Sequence, residues 1–358
     1  MEWEAFFPAG SSVLALPNWD NPRLFAPAER IGCRWRGAGF FPACRRRARM
    51  WRLALRLKAA AGYAMVRQSN EETWRAGEFV RRVFPDFQWA AVYVGILGAA
   101  QKKTARLFDS SNRVIGYLKT AQTDAALRRL RRERQVLCAL PSGVGPVMAA
   151  YGPLADGEAM LLKPISGHPL SPHAVAPPPG IRSLLLALNS GELRPPEEHP
   201  GLDFARGHDE EVGQWTDRLR GVSWPVVIQH GDLAPWNVFL DGSAFSAIDW
   251  EYGNLNGFPY LDLAYYVLTV SAVIRQAPPA AAAKQAADLL KSFAPRLTES
   301  QAEALVALSA YDAYRKALED GDSPDEPIQK WQRAIWRTSV GDGELELAEV
   351  HGGAEAAG

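Results

Sequence analysis

The stretch from Val226 to Glu251 constrains this chain more than any other part of it. Val226, Val227 and Ile228 are apolar and read as a strand. They run into a polar loop from Gln229 through His230, Gly231 and Asp232 to Trp236. A second strand over 237–241 leaves that loop, the chain turns at Asp241, Gly242 and Ser243, and a third strand returns over 245–249. A hairpin folded about Ser243 has Asn237 and Asp249 six residues either side of the turn, opposite each other at one end of an antiparallel pair. Asp232 lies in the loop that feeds the same end. Three polar residues converging where apolar strands stop make a poor core and a good site. An amide and a carboxylate oxygen on one edge suit Mg²⁺, which takes hard oxygen ligands and fills its other positions with water and phosphate. Asp232 is placed to orient a substrate hydroxyl and accept its proton. The competing reading is three polar turn residues in an unrelated α+β protein.

The region upstream is β-rich. Strands are expected over 88–95, 102–108 and 113–120, with a turn at Asp109 to Asn112. A helix follows with Thr123 or Asp124 as N-cap and stops near Leu140, before Pro141 and Gly143. Two short strands follow, over 146–151 and 159–163. On the helix, Leu127, Leu130 and Leu137 mark the buried stripe. Glu133 is three residues after Leu130 and four before Leu137, so it shares that stripe. A carboxylate on an apolar face needs a cationic partner, and Lys119, at the end of the preceding strand, is the obvious one. A solvent-edge Glu on an ordinary amphipathic helix is the alternative.

These motifs together resemble the aminoglycoside-phosphotransferase and choline-kinase families, relatives of the protein kinases. The match runs through His230, Gly231, Asp232, Asn237, Ile248 and Asp249, with Asp249-Trp250-Glu251 where protein kinases carry Asp-Phe-Gly. Asp262-Leu263-Ala264 also resembles a family element. The resemblance covers about 88–340 and implies an α+β, protein-kinase-like two-lobe fold, with a small antiparallel β N-lobe and a larger, mainly helical C-lobe. It implies a phosphotransferase that moves the γ-phosphate of ATP or GTP, with Mg²⁺, onto a hydroxyl of a small molecule such as a sugar, aminoglycoside or amino alcohol. By that match Asp232 is catalytic and Asn237 and Asp249 hold the metal. Lys119 grips the α- and β-phosphates and is held by Glu133. Gly98, in a loop that lacks the full glycine-rich pattern, covers the phosphates with help from Lys102 or Lys103, or is a simple hairpin turn. The Lys163 carbonyl and Ile165 amide meet the adenine edge in a hinge at 161–167. His230 props the loop and does no chemistry. A nucleotide-binding pseudokinase and a nucleotidyl transferase on the same fold remain open.

The rest of the chain sets boundaries. Residues 1–87 are expected to be an extension outside the kinase core. Its first forty or so residues, rich in Pro, Gly and aromatics and without a period, read as loop. An amphipathic helix follows within 44–67, whose Arg45-Arg46-Arg47 run is either a solvated face or a contact for anionic lipid or phosphate. Residues 88–170 are then the nucleotide-binding lobe, 171–340 the catalytic and substrate-binding lobe, entered through Pro172 and Pro177-Pro178-Pro179, and 341–358 a flexible tail. From Ser190 to Asp217 there are eight acidic and two basic residues, either a pocket for a cationic acceptor or a solvated loop. Lys plus Arg and Asp plus Glu both number 40, so bulk charge names no nucleic-acid partner. Cys33, Cys44 and Cys138 lack metal-ligand spacing and fit a reduced, cytoplasmic setting. No signal peptide or membrane-spanning stretch is expected. The histidines other than His230 read as surface residues.

Overall fold

The computed structural model describes residues 3–40, 43, 45–62, 66–69, 75–95, 101–154, 157–206 and 210–337. Along the chain the N-terminal elements are β1 (Ser12–Leu16), β2 (Leu24–Pro27), α1 (Ile31–Ala38), α2 (Arg46–Ala61), β3 (Val66–Gln68) and α3 (Arg75–Arg81). They are followed by β4 (Trp89–Val94), β5 (Lys103–Phe108), β6 (Val114–Ala121), α4 (Asp124–Ala139), β7 (Met148–Leu154) and β8 (Gly157–Leu162). The strands form one antiparallel sheet in the order β3-β1-β2-β4-β5-β6-β8-β7. The helix at 124–139 starts as its sequence suggests, with the Thr123 hydroxyl accepting from Ala126 N at 3.3 Å.

The first forty residues depart from the loop reading. Val13, Leu14, Ala15 and Leu16 of β1 are all buried, as are Leu24, Phe25 and Ala26 of β2. A strand covered on both faces shows an unbroken apolar run and no alternation, so period-based reading passes over it. Odd and even positions here feed two cores. Val13, Ala15 and Phe25 pack with Val92, Leu107 and Leu118, while Leu14, Leu16 and Leu24 pack with Ala91, Phe108 and the inner faces of α1 and α2. Each Val, Leu or Phe side chain among them removed from water contributes about 1.5–3 kcal/mol. β2 hydrogen-bonds directly to β4, so the sheet runs without a break across position 87.

The second lobe comprises β9 (His168–Pro169), α5 (Ile181–Ala187), β10 (Asn189–Arg194), α6 (Glu210–Asp217), β11 (Trp224–Gln229), β12 (Val238–Asp241), β13 (Ala244–Ala247) and β14 (Asn254–Gly257). Helices α7 (Leu261–Thr269, continued by a π turn over Val270–Arg275), α8 (Pro279–Phe293), α9 (Glu299–Glu319) and α10 (Pro327–Trp336) complete it. Helices dominate, yet the strands exceed the single hairpin expected. β10, β11 and β14 form one three-stranded sheet, and β9 adds an edge to the β12–β13 hairpin. One large core fills this lobe, built from Trp250, Tyr266, Phe258, Leu305 and the facing sides of α7, α8 and α9. His199, read as a surface residue, is fully buried. Its ring accepts from Gly201 N at 3.0 Å and lies 3.2 Å from Pro225 O, holding the turn beneath β11. The two-lobe, protein-kinase-like organisation expected from the sequence is present. Among the described residues no helix is long and apolar enough to cross a membrane.

Candidate functional site

β11 delivers the chain to His230, where the backbone turns sharply. Gly231 has φ +79°, and a Cβ there would sit 2.4 Å from Tyr252 O, so both conformation and space require glycine. Asp262, in the first turn of α7, locks this turn. Its carboxylate accepts from His230 N at 2.6 Å and from Gly231 N at 2.8 Å. The buried His230 ring lies 2.8 Å from Ile248 O through Nε2, and its Nδ1 accepts from Asp232 N at 3.2 Å. These partners assign the proton to Nε2, and burial lowers the His230 pKa, so the ring is neutral.

Asp232 then projects from the loop. Its Oδ1 accepts from the Tyr265 hydroxyl at 2.7 Å, and its Oδ2 from Asn237 Nδ2 at 3.1 Å. Asn237 Nδ2 also donates to the Asp232 carbonyl at 3.0 Å. Burial pushes the Asp232 carboxyl up to about 7, with the Tyr265 bond opposing the shift.

Asp249 stands in the opposite electrostatic setting. Its Oδ1 is 2.7 Å from Lys119 Nζ and 3.1 Å from Lys102 Nζ. Burial alone would raise this carboxyl, but the two ammonium groups outweigh it and hold Asp249 well below the usual carboxylate range. Lys119 also pairs with Glu133, at 2.6 and 2.8 Å to the two carboxylate oxygens, and Glu133 is 1% exposed. Burial works against the Lys119 charge, yet Asp249 and Glu133 more than offset it. Lys102 reaches Glu251 as well, at 2.6 Å. Two lysines from the first lobe and three carboxylates therefore meet where the lobes face each other. Trp250, between Asp249 and Glu251, is fully buried and donates its indole N–H to Ala247 O at 2.7 Å. With that ring anchored in the core, its two acidic neighbours turn toward the first lobe.

The hairpin register differs from the sequence reading by one residue. Val238 pairs with Ala247 and Asp241 with Ala244, so Gly242 and Ser243 form a two-residue turn in which Gly242 takes φ +59°. Asn237 thus faces Ile248, whose N–H donates to the Asn237 carbonyl at 2.9 Å. Asn237 closes a one-turn 3₁₀ helix, Pro235–Asn237, ahead of the strand. Asp249 lies one residue past the pair, with φ +69°. The amide of Asn237 is committed to Asp232 rather than to the residue across the hairpin.

Of the other anticipated residues, Lys163 has an exposed side chain and an N–H that donates to Val147 O at 2.9 Å. Among the described residues, neither its carbonyl nor the Ile165 amide takes part in a backbone hydrogen bond. Gly98 lies outside the described residues. In the acidic run over 190–217, Glu192 pairs with Arg194, Asp203 with Arg206, Glu197 and Asp217 with Arg220, and Glu211 with Arg337. The sequence reading gives Glu251 and Tyr265 no role in the site, and Lys102 only one beside the phosphates. Their spacing carried a signal. Glu251 is two residues from Asp249, and Tyr265 is three from Asp262 on the same helical face.

A β lobe joined to a helical lobe, with a lysine–glutamate pair in the first and an Asp-bearing loop and hairpin in the second, defines a protein-kinase-like architecture. The family model described as the phosphotransferase enzyme family (APH) matches residues 117–299, just over half of the chain. The chain belongs to that family. Among solved structures it is similar to a Plasmodium vivax ethanolamine kinase, at 12% identity over 73% of this chain and 83% of that one, with a TM-score of 0.47. It is also similar to a candidate fructosamine-3-kinase from Haemophilus somnus, at 11% identity over 73% of this chain and 96% of that one, with a TM-score of 0.42. No curated protein matches the chain.

Proposed function

We propose that this protein transfers the γ-phosphate of ATP or GTP to a hydroxyl of a small molecule, with residues 88–170 handling the nucleotide and 171–340 carrying catalysis and the acceptor. The observation that carries this reading is the meeting of Lys119, Glu133 and Asp249 within 2.8 Å contacts, beside Asp232 and Asn237. A buried lysine that shares its charge between two carboxylates is held ready for an anion, and phosphate oxygens fit it. Lys102, just ahead of the neighbouring strand β5, adds a second cation at the same point.

The donor set also fits Mg²⁺. Asn237 uses its Nδ2 on Asp232, which leaves Oδ1 as a hard ligand, and the two lysines share Oδ1 of Asp249, which leaves Oδ2. Among the described residues no cluster of three His, Cys, Asp or Glu could hold a metal alone. Such sparse protein ligation suits an ion that completes its shell with nucleotide phosphates and water. When bound, Mg²⁺ would neutralise charge on the phosphates.

Asp232 accepts a hydrogen bond from the acceptor hydroxyl and aligns it with the γ-phosphorus. As the bond from the acceptor oxygen to phosphorus forms, the bond to the bridging oxygen breaks and the nucleoside diphosphate departs. The hydroxyl proton ends on Asp232, whose raised pKa of about 7 suits a late proton acceptor. Tyr265 and Asn237 hold the carboxylate in place. Lys163 and Ile165 offer a backbone acceptor and donor to the nucleobase, and Gly98 is assigned to the phosphate side.

The test is incubation with ATP or GTP and a panel of sugars, aminoglycosides and amino alcohols, read by mass spectrometry. Phosphorylated acceptor with nucleoside diphosphate is the expected result. Nucleotidylated acceptor, or no nucleotide-dependent thermal stabilisation, would overturn the proposal.

A further inference from the structure

Helix α2 turns an apolar stripe outward. Leu55 and Ala59 point into the protein and are 2% and 0% exposed. On the opposite side Met50, Leu53 and Leu57, spaced three and four residues apart, are 73%, 53% and 56% exposed, and Ala54 and Ala61 lie on the same exposed face. An ordinary surface helix buries its apolar stripe and shows water its charges. This helix has a second stripe with nothing described against it. Trp51, 47% exposed, stands at its shoulder.

The charge along this stretch of sequence is one-signed, between Glu29 before it and Glu71 and Glu72 after it. From Arg30 to Asn70 there are eleven Arg or Lys and no Asp or Glu, although the whole chain is neutral. Arg46, Arg47 and Arg49 are exposed at the start of α2. Three cations of this stretch contact neutral groups. Arg45 donates to Val273 O at 2.8 Å, Arg49 meets His173 Nε2 at 2.6 Å, and Lys58 donates to Pro17 O at 2.7 Å. The positive charge is therefore not cancelled by carboxylates of its own helix.

We infer that α2 docks this protein onto an anionic lipid bilayer, lying in the interface with Met50, Leu53 and Leu57 among the acyl chains and the arginines among the headgroups. A helix with an apolar stripe, arginine flanks and a tryptophan at the boundary has the chemistry of an interfacial helix. Arginine side chains bury their aliphatic stems beside the stripe while the guanidinium stays at phosphate level. Nucleic acid would reward the arginines but not three outward aliphatic side chains. An acidic protein partner would engage the charges without needing the tryptophan at the edge. At sixteen residues α2 is about 24 Å long, enough to lie along a surface and too short to span one.

The experiment is vesicle flotation of the full chain without nucleotide, using phosphatidylcholine alone and phosphatidylcholine with an equal part of phosphatidylglycerol. Partition onto the anionic vesicles is expected to exceed that onto the neutral ones by at least about tenfold, and to weaken as salt rises. The triple variant Met50→Glu, Leu53→Glu, Leu57→Glu should lose it by about tenfold or more. Arg46→Gln with Arg47→Gln should weaken it several-fold, and both variants should keep the wild-type melting temperature because these side chains are exposed. Equal partition to both vesicle types, or undiminished binding by the triple variant at unchanged melting temperature, overturns the inference. So does a wild-type dimer that the triple variant converts to monomer without any vesicle binding, or salt-sensitive binding to an oligonucleotide in place of vesicles. None of these readouts depends on phosphate transfer.

Discussion

Two aspartates lie within one site yet in opposite surroundings. Asp249 faces the first lobe, shares one oxygen between Lys102 and Lys119, and is held ionised well below the usual range. Asp232 belongs wholly to the second lobe, where its side-chain partners are a tyrosine hydroxyl and an asparagine amide, and burial lifts it to about 7. The first setting suits a permanent charge that engages cations. The second suits a carboxylate that takes and releases a proton near neutrality. Under the proposed function the same residue type takes two tasks because the lobes surround it differently.

The largest expected effect breaks the proton-accepting side. Asp232→Asn should lower kcat by roughly 10²–10⁴, measured with the best acceptor from the panel, and leave the melting temperature within a few degrees. The charged side is next. Glu133→Gln leaves Lys119 with Asp249 alone, and turnover should fall by roughly 10–100-fold, the range for partners that orient a site residue. Wild-type turnover in that variant would remove Glu133 from the account. Asp262→Asn acts on the frame shared by both sides. The amide replaces a carboxylate that accepts two backbone N–H groups, so denaturant unfolding should show a loss of about 1.5–3 kcal/mol. The smallest effect belongs to the hinge. Lys163→Ala should change the nucleotide KM by less than about twofold, because only its carbonyl is assigned to the nucleobase and its side chain is exposed.

Much of this architecture was legible in the sequence, and what escaped has physical reasons. The strands at 89–121 and the helix at 124–139 carry turns, caps and periodicity that are local, so they can be read locally. Glu133 was legible for the same reason, as a carboxylate in helical register with leucines. β1 and β2 escaped because burial on both faces erases alternation. The hairpin is legible in the sequence but its register is not, because the pivot falls between Gly242 and Ser243 and turn chemistry alone does not choose between a two- and a three-residue connection. The contacts of Lys102 with Asp249 and Glu251 span 147 and 149 residues and join separate lobes. No sequence period records such a contact. Tyr265 supports Asp232 across 33 residues for a similar reason, since only the packing of α7 beneath the loop brings them together.

The central claim is tested most directly by titrating Mg·ATP against Asp232→Asn and Asp249→Asn and reading binding calorimetrically with and without Mg²⁺. The account predicts that Asp232→Asn keeps nucleotide affinity and its dependence on Mg²⁺ within a few-fold of wild type while turnover collapses. It predicts that Asp249→Asn loses the Mg²⁺-dependent part of binding together with turnover. Metal-dependent binding abolished in Asp232→Asn and intact in Asp249→Asn would contradict the account and reverse the two roles.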